Sequence, residues 1–201
     1  MEKKIIHLFL TNHKLRFNEI EKKIKERSNK LDYHLKRLID KKIIEKEKDY
    51  YKLTENSEYL IPYVSEKNAV LPVVLILIGN NKKAFLYKRT KRPYENLLSL
   101  PGGRILLGES INESVKRIMK EKHGINIAFE KINSVSIEHL KKGSKIINSF
   151  LLIFINAKTK EKIDFVDVDK YEKDIIKSDY NLIKRDYNKK ININIISSKI
   201  E

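Results

Sequence analysis

The chain of 201 residues contains no cysteine and no tryptophan. The missing cysteine excludes disulfides, thiolate catalysis and thiolate-bound zinc. Glycine and proline number only six and four, and no low-complexity linker or internal repeat breaks the chain. No apolar run is long enough to span a membrane. The longest, AVLPVVLILIG at 69–79, contains a proline and fits a buried strand. The opening MEKKIIHLFLTNHK has too short an apolar stretch, and no small-residue cleavage site, for a signal peptide. These absences predict a cytoplasmic protein with no membrane partner.

A 41% share of hydrophobic residues is enough for a real core and excludes global disorder. The formal net charge is +16, which favours nucleic acid or a phosphate-bearing ligand as partner. Charge alone does not locate that partner. Residues 1–66 carry 16 basic and 12 acidic side chains, and the rest of the chain carries 27 and 15. Lysine, isoleucine and asparagine are abundant throughout.

Pattern divides the chain better than charge does. Residues 1–66 read mainly as helices and 67–201 as strands alternating with helices, an α+β protein of two domains. The seam falls in SEKNAVLP, 65–72, which is polar and then broken by proline. In the first segment, Ile5, Ile6, Leu8, Phe9 and Leu10 predict one helix, and FNEIEKKIKE a second after the break TNHKLR. A third begins near Ser28 or Asn29 as N-cap, with Leu31, Leu35, Leu38 and Ile39 at helical spacing. Lys30, Tyr33, Lys36 and Arg37 then face outward. IIEKE and YYKLT predict two strands joined by a turn at Lys48–Asp49. TENSEYLIPYV predicts a closing helix capped by Thr54.

In the second segment VVLILIGN reads as a strand, with KAFLYKRT as its hairpin partner. Ser110 and Glu113 form a capping box at the start of a helix that stops at Gly124. Ile111, Val115, Ile118 and Met119 line its inner side. INSVSIEHL and IINSFLLIFINAK are strands, a final helix lies around IIKSDYNLIKR, and KININIIS near the end reads as a further strand.

The first segment resembles the winged helix-turn-helix of archaeal and bacterial transcription regulators. The resemblance lies in LRFNEIEKKI, NKLDYHLKRLIDKKIIEK and YYKLTENSEYL. It implies a homodimer on double-stranded DNA, with the third helix in the major groove. Asn29, Lys30 and Tyr33 are then candidates for base or near-base contact, and Lys36, Arg37 and Lys48 for phosphate contact. A protein-docking module would show the same helix order.

The second segment resembles the Nudix family, whose fold is an α/β/α sandwich on a mixed sheet. The family motif falls on Gly103, Glu109, Arg117, Glu121 and Gly124, preceded by KRTKRPYENLLSLPGG. The family's pyrophosphate chemistry uses Mg²⁺ or Mn²⁺ held by helix carboxylates. Three of those would stand at 118, 121 and 122, on one face. Here they are Ile118, Glu121 and Lys122, so the formal charge of that face goes from −3 to 0. An ammonium there repels a divalent ion by about 1–4 kcal/mol at surface-like dielectrics. Leu106 stands where the family carries a further acid.

The expectation is therefore a vestigial box with no catalytic set intact and no cofactor. Glu109 and Arg117 tie loop to helix, and if any metal binds, Glu121 and Glu109 hold it. Arg89, Arg92 and Arg104 are candidates for meeting the phosphates of an effector such as ADP-ribose, another nucleotide or a phosphosugar. Two other readings stay open. One is an active metal-dependent hydrolase with an accessory winged helix, its site displaced to Glu138, Asp167 or Asp169. The other is a docking protein.

Overall fold

The computed structural model describes residues 1–57 and 69–197. The chain divides into two compact units, Met1–Ala69 and Val70–Glu201.

The first unit runs α1 (Glu2–Leu8), β1 (Leu15–Arg16), α2 (Phe17–Ile24), α3 (Ser28–Asp40), β2 (Ile44–Glu47) and β3 (Tyr50–Leu53). The strands form one antiparallel sheet in the order β1-β3-β2. Leu31, Leu35 and Leu38 of α3 are buried with Ile5, Phe9, Leu15, Ile20 and Ile44, so all three helices and the sheet share one core. The hairpin between β2 and β3 has a two-residue turn, Lys48–Asp49, and Lys48 takes the left-handed conformation at φ 56°. Such turns match the twist of the flanking strands.

Two details differ from the sequence expectation. Arg27 holds the cap position of α3, while the Ser28 hydroxyl donates to Glu21 instead. The break TNHKLR contains β1, which exists only by pairing Leu15 and Arg16 with Tyr51 and Tyr50. The Thr54 hydroxyl donates to the Lys42 carbonyl at 2.8 Å, and a 3₁₀ turn follows over 55–57. The rest of the predicted closing helix, and most of the seam, lie outside the described residues.

The second unit is built on a four-stranded mixed sheet. Its strands are β4 (Leu71–Ile78), β8 (Gly102–Arg104), β9 (Ala128–Lys142) and β10 (Lys145–Lys158), in the order β8-β4-β10-β9. β4 and β10 run parallel, and the other pairs are antiparallel. Helix α4 (Ile111–His123) covers one face and α5 (Lys177–Asp186) the other. Val74, Ile76 and Ile78 pack towards Val115, Ile118 and Met119 of α4. Leu77 and Phe154 pack towards Leu182 and Ile183 of α5. Two covered faces explain why LPVVLILI is apolar throughout instead of alternating.

Helix α4 begins with the Ser110–Glu113 capping box and ends on Gly124 at φ 70°. The stretch KAFLYKRT begins as the expected hairpin, with Gly79 bridged antiparallel to Ala84 and the Phe85 amide donating to the Ile78 carbonyl at 2.9 Å, but does not continue as one strand. It divides into β5 (Lys83–Ala84), paired with β11 (Val166–Asp167), and β6 (Tyr87–Lys88), paired with β7 (Leu98–Ser99). Further along β4 both edges are taken by β8 and β10, so the pairing with 84–85 stops there. KININIIS is not a strand either. Among the described residues it makes one bridge, Ile191 to Ile132, and Ile195 and Ile196 stay exposed.

Candidate functional site

The second unit holds a cavity of about 720 Å³, open to solvent between the start of β8, the β6–β7 region, α4 and α5. Its floor is apolar, with Val73, Leu75, Leu100, Phe150 and Leu152. Charged and polar groups line it as well.

Five of these are cations. Arg89, Lys91, Arg104, Arg117 and Lys122 all line the cavity. The Lys122 ammonium donates to the Gly102 carbonyl at 2.6 Å. Burial lowers its proton affinity, and Arg117, Arg89 and Lys91 lower it further. Ile118, one turn earlier, is fully buried. The helix and loop approach closely here. A Cβ on Gly103 would lie 3.1 Å from both Ile118 and the Lys122 nitrogen, and one on Gly102 only 2.6 Å from the Val74 carbonyl.

Arg117 is fixed by many bonds. It forms a two-pronged pair with Glu109 and also donates to the Arg104 carbonyl at 3.0 Å. Glu109 in turn accepts from the Leu106 amide at 2.8 Å. This pair holds the loop to α4 and holds the Glu109 carboxyl below the usual carboxylate range, chiefly through Arg117. Glu121 does not line the cavity; its side chain is 61% exposed and faces Arg117 at 3.4 Å.

Acids and hydroxyls line the same cavity. Tyr94 donates to Glu138 at 3.0 Å, and burial followed by that carboxylate pushes the phenol up to about 12. Asp179, only 3% exposed, accepts from the Ser99 hydroxyl at 3.0 Å and the Leu100 amide at 2.8 Å. Burial pushes its carboxyl up to about 7, against the pull of those two bonds and of Arg89, while Glu138 adds to the rise.

The shift at Asp179 has a consequence for stability. Between the ordinary carboxylate range and about pH 7 the folded state holds a proton that the unfolded state has released. The group's contribution therefore falls as pH rises through that window. Asp179→Asn can keep both accepted bonds on its amide oxygen. The variant is expected to gain on the parent by roughly 2–4 kcal/mol between pH 5 and pH 8. Urea unfolding at four pH values measures this, and identical pH profiles for the two proteins would show that the carboxyl ionises freely in the fold.

These residues do not suit a divalent ion. At the three positions where the motif places carboxylates, one side chain is buried hydrocarbon, one points to Arg117 and one is an ammonium. Among the described residues no group of three or more acidic or imidazole side chains could hold a metal. Of the candidates for a displaced site, Glu138 lines the cavity. Asp167 instead accepts from the amides of Asp169 and Lys170, and Asp169 pairs with Lys184 at 2.8 Å. Of the three arginines expected to meet phosphate, Arg89 and Arg104 line the cavity, whereas Arg92 is exposed outside it. Lys91, Tyr94 and Asp179 were not singled out by sequence. KRTKRPYE hinted at the first two, but nothing local marked Asp179.

In the first unit, Asn29, Lys30, Tyr33, Lys36 and Arg37 are all exposed on α3, away from its buried leucines. The cations are paired: Lys30 with Glu26 at 3.0 Å, Lys36 with Asp32 at 2.8 Å and Arg37 with Glu2 at 3.3 Å. Exposed pairs of this kind are worth only about 0–1 kcal/mol, so phosphate can displace the carboxylates. Arg37 lies 5.7 Å from the Tyr33 ring centre. Lys48 is exposed at the hairpin tip. The sequence reading missed a second cluster, where Lys14 and Arg16 flank the Tyr50 ring at 4.8 and 4.9 Å.

Residues 70–175 match the family model described as the NUDIX domain. No curated protein matches the chain. Among solved structures, the NUDIX domain of Shewanella oneidensis NrtR, complexed with ADP ribose, is 19% identical with a TM-score of 0.47, over 66% of this chain and 96% of that one. The MutT protein from Methanosarcina mazei Go1 is 21% identical with a TM-score of 0.47, over 60% and 95%. The mutator MutT protein from Bacillus halodurans is 19% identical with a TM-score of 0.46, over 60% and 84%.

Proposed function

This chain belongs to the Nudix family through residues 70–175, and from that membership we propose a DNA-binding transcriptional regulator whose Nudix domain binds a phosphorylated effector without cleaving it. The observation that carries this reading is the contact of the Lys122 ammonium with the Gly102 carbonyl beside a buried Ile118. Those two side chains stand where the family's metal-holding acids would stand. The effector class is a nucleotide or phosphosugar such as ADP-ribose. The cavity's cations suit its phosphates, and Glu138 and Asp179 suit a head group with hydrogen-bond donors.

The first unit is read as a winged helix that binds double-stranded DNA as a homodimer. Its element order, its two-residue hairpin and the exposed Lys–Tyr–Lys–Arg face of α3 support this. The competing reading, an active hydrolase using Mg²⁺ or Mn²⁺, draws on Glu138, which of the displaced-site candidates lines the cavity.

One experiment separates the readings. Protein with Mg²⁺ or Mn²⁺ is expected to hydrolyse ADP-ribose, NADH and nucleoside triphosphates no faster than the buffer blank. A compound of this class that raises the melting temperature is expected to change operator affinity by a coupling of about 1–3 kcal/mol. Metal-dependent release of a nucleoside monophosphate would defeat the regulator reading. So would a saturating ligand that leaves operator affinity unchanged, because a ligand with equal affinity for both states shifts nothing.

A further inference from the structure

We propose that Lys122 is the resident cation of the cavity in place of a divalent ion, so that a phosphoanion binds there free of metal and its Mg²⁺ complex is rejected. The inference rests on reading the domain as ligand-binding, and goes beyond it by specifying the ionic form of the ligand.

The geometry fixes the ammonium in one place. Its nitrogen sits 2.6 Å from the Gly102 carbonyl. Gly103 leaves it room, since any Cβ there would come within 3.1 Å of it. An ammonium has three donors; the carbonyl uses one, and two remain for oxygen atoms of a ligand. Among the described residues no carboxylate bonds to Lys122, and the cavity acids are engaged elsewhere, Glu138 with Tyr94 and Asp179 with Ser99 and Leu100.

The surroundings add more cations than carboxylates. Arg89, Lys91, Arg104 and Arg117 line the same cavity. Arg117 is neutralised by Glu109, and Arg89 is aimed by its bond to the Pro93 carbonyl at 3.0 Å. Burial first, and then these neighbouring cations, lower the proton affinity of Lys122. An anion relieves that crowding. A magnesium-chelated anion brings a further divalent charge against the same cations and offers fewer free oxygens, so it fits worse on both counts.

The probe is inorganic pyrophosphate, titrated calorimetrically into the full chain with EDTA and again with Mg²⁺ in excess. Binding is expected in EDTA and at least tenfold weaker with Mg²⁺. In EDTA, Lys122→Met is expected to weaken binding at least tenfold while melting as a folded protein, and Lys122→Arg to restore part of the loss. Binding that needs Mg²⁺, equal binding in both buffers, or no binding in EDTA would overturn the proposal. The comparison of the two buffers uses the unaltered protein, so it stands even if a variant fails to fold. DNA shifts and nucleotide hydrolysis are measured on the same samples. Failure with pyrophosphate alongside intact DNA binding and no hydrolysis defeats this proposal alone, whereas hydrolysis defeats the regulator reading itself.

Discussion

Ile118→Glu, which restores the acid that the family motif carries at that position, is expected to destabilise the second unit rather than revive chemistry. Ile118 has no exposed surface and packs with Val115, Met119, Val74 and Ile153. Losing the buried aliphatic group costs about 2 kcal/mol or more. Placing a carboxylate against hydrocarbon costs at least as much again unless it escapes into the cavity. The melting temperature should fall by roughly 10 °C or more, with no gain of Mg²⁺-dependent hydrolysis. Ile118→Val, which keeps the site apolar, should cost only about 0.5–1.5 kcal/mol. Thermal unfolding of both variants decides the matter. If the glutamate variant melts with the parent, position 118 is not core and the argument from its burial fails.

The second large effect concerns DNA. Lys36→Ala with Arg37→Ala removes two exposed cations from α3. Each is held by a carboxylate, Asp32 or Glu2, that phosphate must displace. Binding to every duplex should weaken together, by tenfold or more at moderate salt, and the slope of log K against log salt should fall by about 2. Asn29→Ala and Tyr33→Ala should instead change which sequence is preferred. Salt-dependent fluorescence titrations on a specific and a random duplex test both claims. Equal salt slopes for parent and double variant would remove α3 from the interface.

What could be read from the sequence was local. The Ser110–Glu113 box, the Gly124 stop and the leucines of α3 each depend on residues within about one or two turns, and periodicity exposes them. The long strands β9 and β10 showed themselves by length and β-branched content. The Nudix motif located the cavity region because its residues lie within one loop and one helix.

What could not be read needed partners far along the chain. β1 is two residues long and has no period of its own; Tyr50 and Tyr51 define it. β5 and β6 owe their separation to Val166–Asp167 and Leu98–Ser99. Asp179 meets Ser99 across eighty positions of sequence, so no motif window contains both. The Ile/Asn alternation at 191–196 had the period of a strand, yet among the described residues only Ile191 finds a partner.

The close of helix α4 carries one more implication. Its final turn holds Lys120 and Lys122, at the end where the helix's unpaired carbonyls concentrate negative potential. Cations there are favourable, each by about 0.3–1 kcal/mol, and carboxylates are unfavourable. A catalyst that gathers acids at this end works against its own backbone, a frustration commonly found where activity demands it. In this chain the one remaining acid, Glu121, leans on Arg117, and the clash between acids and helix carbonyls gives way to the milder crowding of Lys122 by burial and nearby cations. Each acid lost from such a helix end moves the domain towards a firmer scaffold, so drift away from catalysis runs downhill in folding energy.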